Sequence, residues 1–418
     1  MSGADLMARR EAVLGPAYRL FYDEPLHLVR GRGAEVWDRE GRRYLDAYNN
    51  VPSVGHCHPR VVAALAEQAG ALNTHTRYLH ENVVAYAERL VGTLPPELGQ
   101  VMLTCTGSEA NDLALRVARC ATGGTGVIVT AHAYHGVTLA LAEMSPSLGA
   151  GAPLGRHVRT IPAPDAFRLA DPGQAMAAAA EAAVDSLAAE GIRPAAILFD
   201  TVFASDGLHP GTPGIYAGAV EAVRRAGGLF IADEVQSGLG RPGGSMWAFE
   251  RHGLVPDIVT MGKPLGGGHP LAAMAARPDL LERFGRETRY FNTFGGNPVS
   301  AAVGLAVLDV IRDEGLMQRA EATGRQLLDG LRQIAAGRAG IGDVRGAGLY
   351  ATLEVVSAPS GRPDGPRAAA LQNRLRQLGI LAGLCGAENQ CLKLRPPLCF
   401  SDRDCDELLS GLDRALST

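Results

Sequence analysis

The stretch LFIADEVQSGLG (229–240), followed by DIVTMGKPLGGGHP (257–270), decides how the chain is read. The first opens on apolar residues and delivers a carboxylate, Asp233. The second repeats the pattern and delivers a lysine, Lys263, into a run of glycines. Continuous apolar runs of this length are strands buried on both faces, as in a parallel sheet covered by helices. Three more lie upstream: VMLTCT (101–106), GVIVTAH (126–132) and AAILFD (195–200), each followed by a helical pattern, EANDLALRVARCA, GVTLALAEM and GIYAGAVEAVRRAGG. The alternation predicts an α/β fold with a mainly parallel central sheet flanked by helices over residues 61–300. Ligands of such sheets bind at the carboxyl ends of the strands, so Asp233 and Lys263 are expected to face one site.

The flanking segments follow a different pattern. AEVWDREGRRYLDA (34–47) carries a hairpin signal, and after the helical AAVGLAVLDVIRDEG (301–315) come GIGDVRGAGLYATLEVV (340–356) and CLKLRPPLCF (391–400), which look like strands. Residues 1–60 and 301–418 are therefore expected to combine into a smaller α+β domain. No repeat or low-complexity linker interrupts the chain.

Composition narrows the function class. The 418 residues are 20% charged with a net charge of -4, which offers no electrostatic reason to expect nucleic acid or an anionic membrane as partner. No stretch approaches the roughly 18 to 20 apolar residues of a membrane span, and MSGADLMARREAVLGP lacks the apolar core of a secretory signal, so a cytoplasmic location is expected. The seven cysteines include no CxxC pair, which speaks against a disulfide framework or a zinc site.

A desolvated lysine can condense with an aldehyde, and a buried carboxylate opposite can keep a pyridine nitrogen protonated. Pyridoxal phosphate needs both. Taken singly, Asp233 could cap or pair locally and Lys263 could be a solvated loop residue. GKPLGGG is not a phosphate loop of the nucleotidase kind, because Asp257 stands where that pattern needs glycine. A phosphate cradle is instead expected at Thr106, Gly107 and Ser108, between a strand and a helix start, the bland alternative being a serine N-cap. Tyr134 in HAYHG (132–136) offers an aromatic plate for a planar ring, or simple packing. His132, His135 and the histidines of HCH (56–58) lack carboxylate or cysteine partners at ligand spacing, so no metal is expected.

GSEAND, YHG, ADEVQSGLGRPG, MGKPLGGGHP and FNTFGGNP stand in the order and spacing of the class-III aminotransferases, and the chain resembles that family over nearly its whole length. The resemblance implies the fold-type-I architecture and pyridoxal 5'-phosphate as cofactor. It implies Lys263 as Schiff-base lysine and general base, Asp233 as partner of the pyridine nitrogen, Tyr134 as the stacking residue, and Gly107 and Ser108 as phosphate cradle. It also implies Gln236 near the ring hydroxyl and Thr293 reaching the phosphate of a neighbouring subunit, hence a homodimer with shared sites.

NNVPSVGHCHP (49–59) and LNTHTRYLHEN (72–82) are most similar to the branch that contains ethanolamine-phosphate phospho-lyase and bacterial amine transaminases. Two departures bear on substrate. Ornithine-type members carry an arginine three residues before a Pro-Pro pair; here Lys393 stands there, with Arg395 two residues on, and a lysine cannot form the bidentate guanidinium fork. Asp200 replaces a usual glutamate. Arg77 and Lys393 are candidates to meet a substrate phosphate or carboxylate. The expected activity is amino transfer from a primary amine or terminal amino group to a keto acid such as pyruvate, with elimination of phosphate and ammonia from a phosphoethanolamine-like substrate as the alternative.

Overall fold

The computed structural model describes residues 3–49 and 51–417; Met1, Ser2, Thr418 and Asn50, the second residue of the NNVPSVGHCHP motif, lie outside the described residues. Its centre is a seven-stranded sheet. From one edge to the other the strands are Gln100–Thr104, Ala272–Ala276, Ile258–Met261, Leu229–Asp233, Pro194–Asp200, Gly126–Thr130 and Val158–Ile161. All neighbours from Ile258–Met261 to Val158–Ile161 pair in parallel. The Ala272–Ala276 strand runs antiparallel to both its neighbours, which makes the sheet mixed.

Every residue of the Gly126–Thr130, Pro194–Asp200, Ile258–Met261 and Ala272–Ala276 strands is buried, as their unbroken apolar runs require. Helix Gly107–Thr122 packs against the sheet and buries Ala110, Leu113, Ala114, Val117 and Ala118, the small residues allowing a close approach. Helices Pro172–Ala189 and Ala217–Arg225 pack against each other.

The sequence-based strand bounds hold within one or two residues: the apolar run 229–235 is a strand to Asp233, and 257–263 one from Ile258 to Met261. The helical pattern 136–144 is shorter than expected, a single turn over Leu139–Ala142, because Gly136 and a Pro146 turn bracket it.

Two smaller sheets complete the fold. Leu28–Arg32, Glu35–Asp38 and Arg43–Asp46 form an antiparallel meander, and Ile380–Leu381 adds to it in parallel beside Leu45 and Asp46. Ile341–Ala347, Tyr350–Ser357, Cys391–Leu394 and Gly383–Cys385 form an antiparallel sheet, with Arg362–Pro363 paired to the second of these. Among the described residues no helix is long and apolar enough to cross a membrane.

Candidate active site

Asp233 is the last residue of its strand, and Lys263 sits two residues past Met261 on the adjacent parallel strand. Both line one cavity of about 300 Å³ at the carboxyl ends of these strands, together with Gly107, Ser108, Tyr134 and Gln236. The cavity thus brings together six of the nine residues singled out from sequence.

Asp233 is buried and heavily anchored. Its Oδ2 accepts from His135 Nδ1 at 2.8 Å and from Asn111 Nδ2 at 2.9 Å, while Oδ1 accepts the Val235 amide at 3.1 Å. Asn111 is fixed in turn: its other amide hydrogen goes to the His135 carbonyl at 2.8 Å, and its Oδ1 accepts the Thr260 hydroxyl at 2.5 Å. The sequence offered His135 only as a rejected metal ligand and Asn111 only as a letter in GSEAND; their joint role appears once the sheet brings residues 111, 135, 233 and 260 together.

Lys263 is held differently. Its backbone φ of +30° lies where a residue with a Cβ seldom sits, at the start of the tight turn Lys263–Gly266. The Ser53 hydroxyl donates to the Pro264 carbonyl at 2.7 Å and braces that turn from the N-terminal part of the chain. Burial lowers the Lys263 pKa below the ordinary lysine range, with the Asp233 charge opposing. Among the described residues its ammonium has no hydrogen-bond partner, which leaves it available to a ligand.

At the other end, Thr106 caps helix Gly107–Thr122 in a capping box: its hydroxyl accepts from the Glu109 amide at 3.1 Å, and Glu109 Oε2 takes the amides of Cys105 and Thr106. The cap is therefore Thr106 rather than Ser108. The Ser108 hydroxyl instead accepts the Val137 amide at 3.2 Å, tying the helix start to the loop that carries Tyr134. Gly107 is required by space: a Cβ there would come within 2.7 Å of Val235 Cγ1. Tyr134 is half-buried, its phenol raised above the ordinary range by burial and then by the Asp233 charge.

Gln236 is gripped from outside the large sheet. Its Oε1 accepts from Tyr350 at 3.3 Å and from the Arg395 guanidinium, so its amide NH2 is the group left to donate to a ligand. Arg395 also donates to the Tyr48 carbonyl at 2.9 Å and lies over the Tyr48 ring at 4.5 Å. Asp200, in register with Asp233, has its carboxyl pKa raised by burial and by that neighbour, and accepts the Val202 and Ala204 amides.

Lys393 does not line the cavity. It is buried on the Cys391–Leu394 strand, its pKa lowered to about 8 by burial, with the Cys385 and Asp200 charges opposing and those of Arg395 and Lys263 assisting. Arg77 and Thr293 are exposed and also lie outside the cavity. Arg77 sits over the Phe291 ring at 4.0 Å, in a separate depression of about 380 Å³ that also includes Thr76, Tyr290 and Asn292.

The cavity fits pyridoxal phosphate on its own chemistry. A desolvated lysine and an anchored carboxylate sit in one cavity. A glycine-led helix start that a Cβ would fill, and whose first-turn amides have no intrahelical acceptor, suits a phosphate. Such a donor set on a mainly parallel sheet defines a fold-type-I pyridoxal-phosphate enzyme. Residues 21–416 match the family Aminotransferase class-III, and the chain belongs to that family. It is 39% identical to an alanine-glyoxylate aminotransferase 2-like protein of Drosophila melanogaster, over 100% of this chain and 88% of that one. Among solved structures it is similar to a phospholyase from Arthrobacter in complex with phosphoethanolamine, at 43% identity and a TM-score of 0.96, covering 99% of this chain and 100% of that one. It is also similar to an (S)-enantioselective omega-transaminase from Thermomicrobium roseum, at 28% identity and a TM-score of 0.88, covering 100% and 99%.

Proposed function

We propose that the protein transfers an amino group from a primary amine or a terminal amino group to a keto acid such as pyruvate. The observation that carries this reading is the desolvated Lys263 in one cavity with the anchored Asp233. Lys263 would hold the cofactor covalently and, when freed, its amine would take the proton from the substrate carbon; burial favours its neutral, proton-accepting form. Bound there, pyridoxal phosphate supplies an electron sink for the charge this leaves. Asp233 holds the pyridine nitrogen, Tyr134 covers the ring, Gln236 donates near the ring hydroxyl, and the start of helix Gly107–Thr122 with Ser108 takes the phosphate.

Thr293 completes the phosphate site of a second copy, so the working unit is a homodimer. Support comes from exposed apolar side chains: Phe291 and Phe294 flank Thr293 in the chain, and Leu72, Tyr78 and Leu79, the last at 99%, are exposed on the segment whose His75 packs against Phe291, surface that suits burial against a partner. Residues 61–300 act as the cofactor-holding part, and 1–60 with 301–418 as the part that closes on it. A cytoplasmic location belongs to the same reading and agrees with all seven cysteines being free thiols.

A second reading is favoured by the two buried cations, Lys393 near the Asp200 charge and Arg395 against Gln236, and by the likeness to a phospholyase: elimination of phosphate and ammonia from a phosphoethanolamine-like substrate. The absorption of the holoenzyme without keto acid separates the two. Stable conversion of the lysine-bound cofactor band to the amino form by a simple primary amine supports amino transfer. A band that returns with phosphoethanolamine while inorganic phosphate accumulates over many turnovers establishes the lyase and overturns the first reading.

A further inference from the structure

We infer that His135 is a positioning residue that, as a neutral imidazole carrying its single proton on Nδ1, fixes which oxygen of Asp233 faces the cofactor. This rests on the cofactor reading of the cavity. The inference starts from a count of donors and acceptors. Asp233 Oδ2 already takes two donors, His135 Nδ1 and Asn111 Nδ2, whereas Oδ1 takes only the Val235 amide. Oδ1 is therefore the oxygen with acceptor capacity to spare, and the one that can meet a protonated ring nitrogen.

His135 is tied at its backbone and enclosed at its side chain. Its backbone amide donates to Ser145 Oγ at 2.9 Å, its carbonyl accepts from Asn111, and its side chain is 1% exposed. The same histidine thus fixes the carboxylate directly and, through its carbonyl, the amide of Asn111 that also holds it. Thr260 closes the network from the next strand.

The proton count follows from the far nitrogen. His135 Nε2 is buried without a hydrogen-bond partner. A proton there would be an unmatched buried N–H on a charged ring, whereas a bare Nε2 leaves only an unused acceptor. The neutral tautomer with hydrogen on Nδ1 satisfies every donor of the network, and the full negative charge stays on Asp233.

Two measurements test this. Nitrogen NMR of histidine-labelled protein, with His135 assigned by substitution, is expected to show a protonated Nδ1 and a bare Nε2 both with and without pyridoxal phosphate. A doubly protonated ring, or the opposite tautomer, overturns the assignment. His135→Asn keeps an N–H near the place of Nδ1, while His135→Leu removes it. The leucine variant is expected to release pyridoxal phosphate about ten- to hundredfold more readily than wild type, the range for a lost hydrogen bond to a charged group. The asparagine variant should recover most of that difference, with the cofactor-free forms of both unfolding at similar temperatures. Equal cofactor retention by both variants overturns the inference. Failure of the wild type to take up pyridoxal phosphate overturns the cofactor reading itself, an outcome distinct from the other because the tautomer is read in the cofactor-free protein.

Discussion

The floor of the cavity and the open surface outside it are built on opposite principles. On the floor Asp233 is tied by His135, Asn111 and the Val235 amide, and the helix start by its own capping box. Outside the cavity Arg77 lies over the exposed ring of Phe291, Thr293 is exposed, and Leu79 projects almost wholly into solvent. A buried network of this kind holds one geometry, which suits a cofactor that stays the same. A surface left open in one chain is suited to completion by something else, a second copy or a substrate.

Substitutions at the two places should therefore fail in different ways. Lys263→Ala is expected to remove the lysine-bound cofactor band and to lower turnover by about 10³-fold or more, checked by absorption and steady-state rates. Residual turnover near wild type would overturn the role given to Lys263. Asp233→Ala should keep some cofactor but reduce the rate by roughly 10²-fold, and the donors orphaned on His135 and Asn111 should cost about 1–3 kcal/mol of stability by denaturant titration. Leu79→Asp, on the open surface, should leave each chain folded by circular dichroism yet shift sedimentation from dimer to monomer. An unchanged dimer would take this surface out of the interface.

One expected effect is a gain. The buried Lys393 has its folded pKa lowered to about 8 from the ordinary 10.5, so the folded state binds its proton more weakly than the unfolded one. The penalty is complete below pH 8 and fades as the pH rises toward 10.5, reaching up to about 3 kcal/mol at neutral pH. Lys393→Met should raise stability at pH 7 and remove this contribution to its rise above pH 8, read from urea midpoints at both values. If the lyase reading holds, the same variant loses turnover of phosphoethanolamine while its reaction with a simple amine is spared.

The floor was also the part most legible in the sequence. Apolar runs ending in Asp233 and Lys263 announced both the sheet and the site, because burial on both faces leaves a continuous apolar signature. The Ala272–Ala276 strand escaped because an alanine-rich run carries no strand preference, and its antiparallel direction follows from pairing alone. His135 and Asn111 escaped as partners of Asp233 because they stand 98 and 122 residues away along the chain, and only the folded sheet makes them neighbours. Arg395 was visible as a charge near a Pro-Pro pair, but its grip on Gln236 depends on Tyr48 and Tyr350, which come from two other sheets' neighbourhoods.

The strand Ile380–Leu381 lies parallel to Arg43–Asp46, and the Arg395 amide donates to the Ala47 carbonyl at 2.8 Å. A chain emerging from the ribosome must therefore keep its first fifty residues waiting until almost four hundred have been made, and during that interval Gln236 lacks its clamp. Closing so long a loop is slow, and it makes the meander one of the last parts to set. A product cut short before Ile380 would lack both the strand that pairs beside Leu45 and Asp46 and the guanidinium that grips Gln236.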